Sequence, residues 1–162
     1  MGSQPGRSRQ SRPVDWVSRR ELLEAIGEDC AANTATQWQD GRAKLFVTRR
    51  LLGFRQARPE LFAEGDYHPL EATDGCSEHL CAFMRTRGEE RLAVAVPRLV
   101  YRLYRDGVAD WGATTLVLPS GTWRDVFTGE RFDGGSEVRI SRLLADLPVA
   151  VLSSGENAGA RG

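Results

Sequence analysis

The sequence predicts an α+β protein, with two N-terminal helices followed by an antiparallel β-sandwich as the C-terminal domain. Three observations carry that expectation. Two stretches before residue 60 repeat apolar residues at helical spacing. Beyond residue 77 the apolar period shortens to two. Short β-type runs with Gly and Pro between them then fill the remainder, as in antiparallel sandwiches. At 162 residues the chain supports one ordinary domain, or a small domain with an appendage.

Residues 1–11, MGSQPGRSRQS, lack apolar periodicity and are expected to be disordered. From residue 12, RPVDWVSRRELLEAIG predicts a helix over about 15–26. Asp15 or Ser18 starts it, with Ser18 and Glu21 spaced as a capping box. Trp16, Leu22, Leu23 and Ile26 form its apolar side, which makes Trp16 a core residue, and Gly27 suits the C′ position. Residues 28–39 are polar and Ala-rich and read as a loop or broken helix.

The stretch from Asp40 to Leu70 organises the chain. Ala43, Val47 and Phe54 lie on one flank of a second helix, with Leu45, Leu51 and Leu52 beside them. Asp40 is its expected N-cap. Pro59 disfavours the α conformation at Arg58, and Leu61, Phe62, Gly65, Tyr67, Pro69 and Leu70 mark a turn into extended chain.

Residues 78–86 alternate Leu80, Ala82 and Met84 against His79, Cys81, Phe83 and Arg85, and residues 91–97 suit a strand buried on both faces. Gly88 sits at the turn between them. Val100–Tyr104 extends that strand or starts another, and Thr114–Leu118 is a further strand. Trp123, Asp125 and Phe127 are expected on one face before a turn at Thr128-Gly129. A short strand at Glu137–Ile140, a helical turn at Arg142–Ala145, a closing strand at Pro148–Leu152 and a disordered tail over 153–162 complete the chain.

Lys plus Arg and Asp plus Glu number 22 each, so there is no net field to attract nucleic acid or an anionic membrane. Arg7, Arg9, Arg12, Arg19 and Arg20 against Asp15 read as a solvated terminus. Cys30, Cys76 and Cys81 are odd in number, without an apolar leader, and no run approaches the roughly 20 apolar residues of a membrane span. A cytoplasmic protein with free thiols is expected.

Several blocks follow one another in an order of their own: RPVDW at 12–16, DGRAKLFVTRRLLGFR at 40–55, PELFAEGDYHPL at 59–70, AVPRL at 95–99, LPSGTWRDVFTG at 118–129 and SRLLADLPVAVL at 141–152. Together they resemble the C-terminal part of malto-oligosyltrehalose synthases, members of the α-amylase superfamily. The resemblance covers about residues 12–152. It implies that residues 12–62 correspond to the end of a catalytic (β/α)₈ barrel and 63–152 to the β domain behind it. The family isomerises the reducing-end α-1,4 linkage of a malto-oligosaccharide to an α,α-1,1 linkage, and a maltooligosyl trehalose hydrolase then releases trehalose. In the family RPVDW follows an Asp-Pro-Asp-Asn-Arg run, whereas GRSRQS stands there in this chain. The barrel before it is absent, since a complete barrel takes about 250 residues. The family's Asp nucleophile, Glu acid/base and second Asp have no counterpart here. The resemblance therefore implies a fragment inactive alone, with a separately encoded barrel as its partner. A non-catalytic module binding an α-glucan is the alternative.

The residues themselves add little chemistry. Retaining glycosyl transfer needs two carboxyls roughly 5 Å apart, and no motif pairs any here. Asp15 and Asp40 read as helix caps and Asp125 as a strand or turn residue. Cys76, His79 and Cys81, with His68 as a fourth, offer a weak metal pattern, since structural zinc sites use C-x₂-C pairs. Buried free thiols beside a satisfied or exposed histidine are expected instead, with His79 and Cys81 on one strand face, so no cofactor and no metal is assigned. Of Trp16, Trp38, Trp111 and Trp123, Trp111 in GVADWGATT lies on an expected loop and is the candidate substrate-binding residue, stacking on a sugar. Arg49, Arg50, Arg55 and Arg58 read as the solvated, dipole-matched end of a helix. No phosphate loop, serine elbow or dinucleotide fingerprint is present.

Overall fold

A computed structural model describes residues 15–26, 41–105 and 108–155. The elements in chain order are α1 (Trp16–Ile26), α2 (Arg42–Ala57), α3 (Pro59–Ala63), β1 (Asp66–Leu70), β2 (Ala72–Thr73), a 3₁₀ turn (Ser77–His79), β3 (Leu80–Arg87) and β4 (Glu90–Pro97). They continue as β5 (Tyr104–Arg105), β6 (Val108–Ala109), β7 (Thr115–Val117), β8 (Thr122–Asp125), β9 (Arg131–Asp133), β10 (Glu137–Arg139), α4 (Ile140–Leu143) and β11 (Ala150–Ser154). The expected tail at 1–11, the loop at 28–39, Gly27, Cys30, Trp38, Asp40 and residues 156–162 lie outside the described residues.

A six-stranded antiparallel sheet runs β1-β3-β4-β11-β8-β9, and a three-stranded sheet runs β10-β7-β2. Alternation along the strands sends side chains to both faces of the large sheet. From β4 and β11, Ala93, Ala95, Ala150 and Leu152 join Trp123, Phe132, Leu116 and Val138 in a core shared with the small sheet. Leu92 and Val151, on the opposite face, meet Ile26, Phe46 and Leu61 of the three helices. The architecture is thus three layers: helices, large sheet, small sheet. Much of the apolar side of α2 finds its cover within the chain, on the large sheet, whereas Trp16, Val17 and Leu52 stay exposed.

The helix boundaries have local causes. The Asp15 carboxylate accepts the Ser18 backbone N–H at 3.0 Å and its hydroxyl at 2.7 Å, so Asp15 caps α1 and Ser18 occupies the third helical position. These bonds hold the Asp15 carboxyl below its ordinary pKa. Trp16 is not a core residue: 73 % of its surface is exposed, because Leu22 and Ile26 alone turn α1 inward. Gly41, at φ +86°, holds the N-cap place of α2 without a side-chain bond. Arg58 leaves the helical region before Pro59, as the sterics of an X-Pro pair require. Pro59 then opens α3, where a missing N–H costs nothing, so extended chain begins only at Asp66.

Other expectations are corrected. Val100–Leu103 is a turn, with the Leu103 and Tyr104 amides both donating to the Val100 carbonyl at 3.1 Å, and the strand begins only at Tyr104. Trp123 and Phe127 fall on opposite sides of the large sheet, because β8 ends at Asp125 and the chain reverses. His79 lies in the 3₁₀ turn, so it does not share a strand face with Cys81, and Cys81 is exposed rather than buried. Ser153 and Ser154, expected in a tail, are buried in β11. That strand does not close the sheet at an edge; it lies between β4 and β8.

Candidate functional site

Asp125 is the one carboxylate among the described residues whose pKa is raised. β8 delivers it to a shallow pocket lined also by Glu130, Arg142 and Asp146. One carboxylate oxygen accepts the Phe127 N–H at 2.8 Å, the Thr128 N–H at 2.8 Å and the Thr128 hydroxyl at 3.2 Å. Burial pushes its carboxyl up from the ordinary value, against the opposing pull of those hydrogen bonds. A raised carboxyl in a pocket is what a general acid requires. The wiring argues otherwise, since three donors on one oxygen form an Asx turn that reverses the chain toward β9. Glu130 is likewise engaged, accepting the Arg142 guanidinium at 2.7 and 3.0 Å through a single oxygen.

The metal pattern disperses. Among the described residues no group of three or more His, Cys, Asp or Glu is placed to hold an ion. The Cys76 thiol donates to the Asp110 carbonyl at 3.5 Å, and His68 meets the Thr86 hydroxyl at 3.1 Å. His79 is buried with its Nδ1 unpartnered and its Nε2 3.4 Å from Glu78.

Trp111 is 4 % exposed and belongs to the core shared by the two sheets. Its carbonyl accepts the Thr114 hydroxyl at 2.6 Å and the Thr114 N–H at 3.0 Å, which fixes the turn and tucks the indole inward. A ring so covered offers no face to a pyranose. Trp123 is wholly buried, its Nε1 donating to the Pro119 carbonyl at 2.8 Å under the Arg91 guanidinium. Among the described residues the exposed aromatic rings are Trp16, Tyr67, Tyr101 and Tyr104. Sequence reasoning missed Tyr101 and Tyr104 because their segment resembled a strand. The bulky unalternated run LVYRLY after Pro97 was the available signal.

Arg49, Arg50 and Arg55 are exposed, as expected of a solvated helix end, and two of them also reach backbone carbonyls. Arg49 donates to the Leu23 carbonyl at 3.0 Å and Arg50 to the Val126 carbonyl at 3.3 Å. Arg58 lies over the Phe54 ring at 4.2 Å and 3.7 Å from Glu90.

Fold and side chains together define a helix-covered antiparallel β domain in which Asp15 serves a cap, Asp125 a turn and Glu130 an ion pair. No family model matches the chain. Two proteins assigned as maltooligosyl trehalose synthases, from Mycobacterium tuberculosis strains CDC 1551 and H37Rv, are each 36 % identical to it over 141 residues. Those residues are 87 % of this chain and 16 % of each relative. The solved maltooligosyltrehalose synthase of Arthrobacter ramosus, and a point variant of it, match with a TM-score of 0.66 at 32 % identity. They cover 89 % of this chain, which spans only 17 % of theirs. The chain is therefore homologous to one part of the maltooligosyl trehalose synthases. No helix among the described residues is long and apolar enough to cross a membrane.

Proposed function

We propose that these 162 residues are the C-terminal, non-catalytic part of a maltooligosyl trehalose synthase. The observation that supports this most is coextension: the likeness spans nearly all of the chain but about a sixth of each relative. In this reading α1 and α2 are the last helices of a catalytic barrel, and the two sheets are the β domain behind it. The assembled enzyme isomerises the reducing-end α-1,4 linkage of a malto-oligosaccharide to α,α-1,1 in the cytoplasm. A maltooligosyl trehalose hydrolase then consumes the product. The chain alone is inactive, since retaining transfer needs a nucleophile and an acid/base roughly 5 Å apart. Asp125, the carboxylate nearest to that description, is committed to its turn.

Proton NMR with maltohexaose tests the reading. The chain alone is expected to leave the anomeric signals unchanged over a day. Mixed with the remaining part of a synthase, it should produce a growing α,α-1,1 signal. Conversion by the chain alone would sink the proposal. Sugar lines that broaden without conversion would instead favour a glucan-binding module, which would have to use a residue other than the buried Trp111.

A further inference from the structure

Between β4 and β5 the chain builds a small rigid projection. Arg98 donates its N–H to the His79 carbonyl at 2.7 Å, and the next residue, Leu99, takes φ +50°. That left-handed conformation is uncommon for a residue with a Cβ and persists only where the surroundings enforce it. The enforcement is visible. Leu103 is buried in the core beside Trp111, its carbonyl accepts the Asp110 N–H at 3.0 Å, and the Val100 carbonyl binds two amides. Anchored from below, the turn presents Leu99, Val100, Tyr101 and Tyr104 to solvent, with Tyr101 94 % exposed. Arg98 and Arg102 flank them, also exposed and in no ion pair among the described residues.

A cluster of bulky apolar side chains that a chain spends backbone strain to hold outward reads as a contact surface. Its composition selects the kind of partner. Leu99 and Val100 have no ring to lay on a sugar, and Tyr101 has no wall behind it, which disfavours a carbohydrate platform. Tyrosine, aliphatics and arginine together match the centre of a protein interface, and the preset turn lowers the cost of ordering it. About five-sixths of the length of each relative lies outside the stretch that matches this chain.

We propose that the Leu99–Tyr104 projection docks into the remaining polypeptide of a maltooligosyl trehalose synthase, in an apolar pocket rimmed by carboxylates that meet Arg98 and Arg102. This rests on the functional reading above and adds the contact surface to it. The test co-expresses this chain with a tagged Arthrobacter ramosus synthase lacking its matching segment. The wild-type chain should co-purify. Tyr101→Ala combined with Leu99→Asp should weaken retention roughly 30-fold or more, as loss of an interface anchor does. Val117→Ala, exposed on β7 of the small sheet, should leave it unchanged. Thermal melting of each variant confirms folding beforehand. Equal retention of the double variant would overturn the projection's role while leaving the functional reading intact. No retention of the wild-type chain, soluble or insoluble, would overturn both. A dimer of the chain alone that the double variant dissolves would assign the projection to self-association and also overturn the proposal.

Discussion

Asp125 shows how one side chain can satisfy the criteria for a catalytic acid and serve architecture instead. Its folded pKa lies above its unfolded value, so the stability it contributes is present below the unfolded value near 3.8 and is lost as pH rises through the folded one. At neutral pH the buried charge is therefore a cost, offset by three hydrogen bonds to one oxygen. Asp125→Asn keeps that oxygen and removes the charge. Its melting temperature should equal or exceed that of the wild type at pH 7, with the gap narrowing toward pH 4. Asp125→Ala removes the acceptor and should cost about 1–3 kcal/mol at pH 7, measured by urea unfolding. A marked loss of stability in the Asn variant would mean that the charge itself is needed. The turn role of Asp125 was legible in DVFTG, where an Asp precedes Thr-Gly. The fates of Trp16 and Trp111 were not, and they exchanged places. Trp16 fits the apolar stripe of α1 by angle alone, yet only Leu22 and Ile26 turn inward. Trp111, between Asp110 and Gly112, has the neighbours of a surface loop, and the core it joins includes Ala150 and Leu152, which no local window contains.

Among elements, α2 carries the clearest division of labour. Phe46 is buried against the large sheet, its ring centroid 6.1 Å from that of Phe127. Leu52 projects away from that core. Phe46→Ala is expected to destabilise by about 3–5 kcal/mol, and Leu52→Ala to change stability by no more than about 0.5 kcal/mol, both read from chemical unfolding. Similar losses at the two positions would mean that the outer side of α2 is covered too. The existence of α1, α2 and the β3–β4 hairpin was readable because each announces itself within its own residues, through period, cap or turn glycine. α3 was hidden for a different reason. Pro59 was read as an ending, whereas at the first position of a helix its fixed φ makes it a beginning. Gly65 completes that corner: a Cβ there would lie 2.3 Å from the Leu61 carbonyl oxygen, so α3 can hand the chain to β1 only through glycine.

At the scale of the molecule, the two apolar cores share the large sheet, and β11, like β4, contributes to both. Val151 faces the helices while Ala150 and Leu152 face the small sheet. A chain ending at Pro148 is expected to lose its cooperative thermal transition altogether, a result that circular dichroism would give directly. A sharp transition in that truncated chain would show that the two cores are separable. This arrangement was beyond sequence reading, since the apolar run from Pro148 to Leu152 identifies a strand but does not say which strands it separates. The order β4-β11-β8 has a consequence during synthesis. β4 leaves the ribosome with one edge paired to β3 and the other bare. β8 and β9 follow as a second ribbon with a bare edge of its own. Neither edge is covered until the residues near 154 have been added, at roughly 5–20 residues per second. For those seconds the nascent chain holds two open strand edges facing a gap of one strand's width. Any extended peptide nearby competes for that gap.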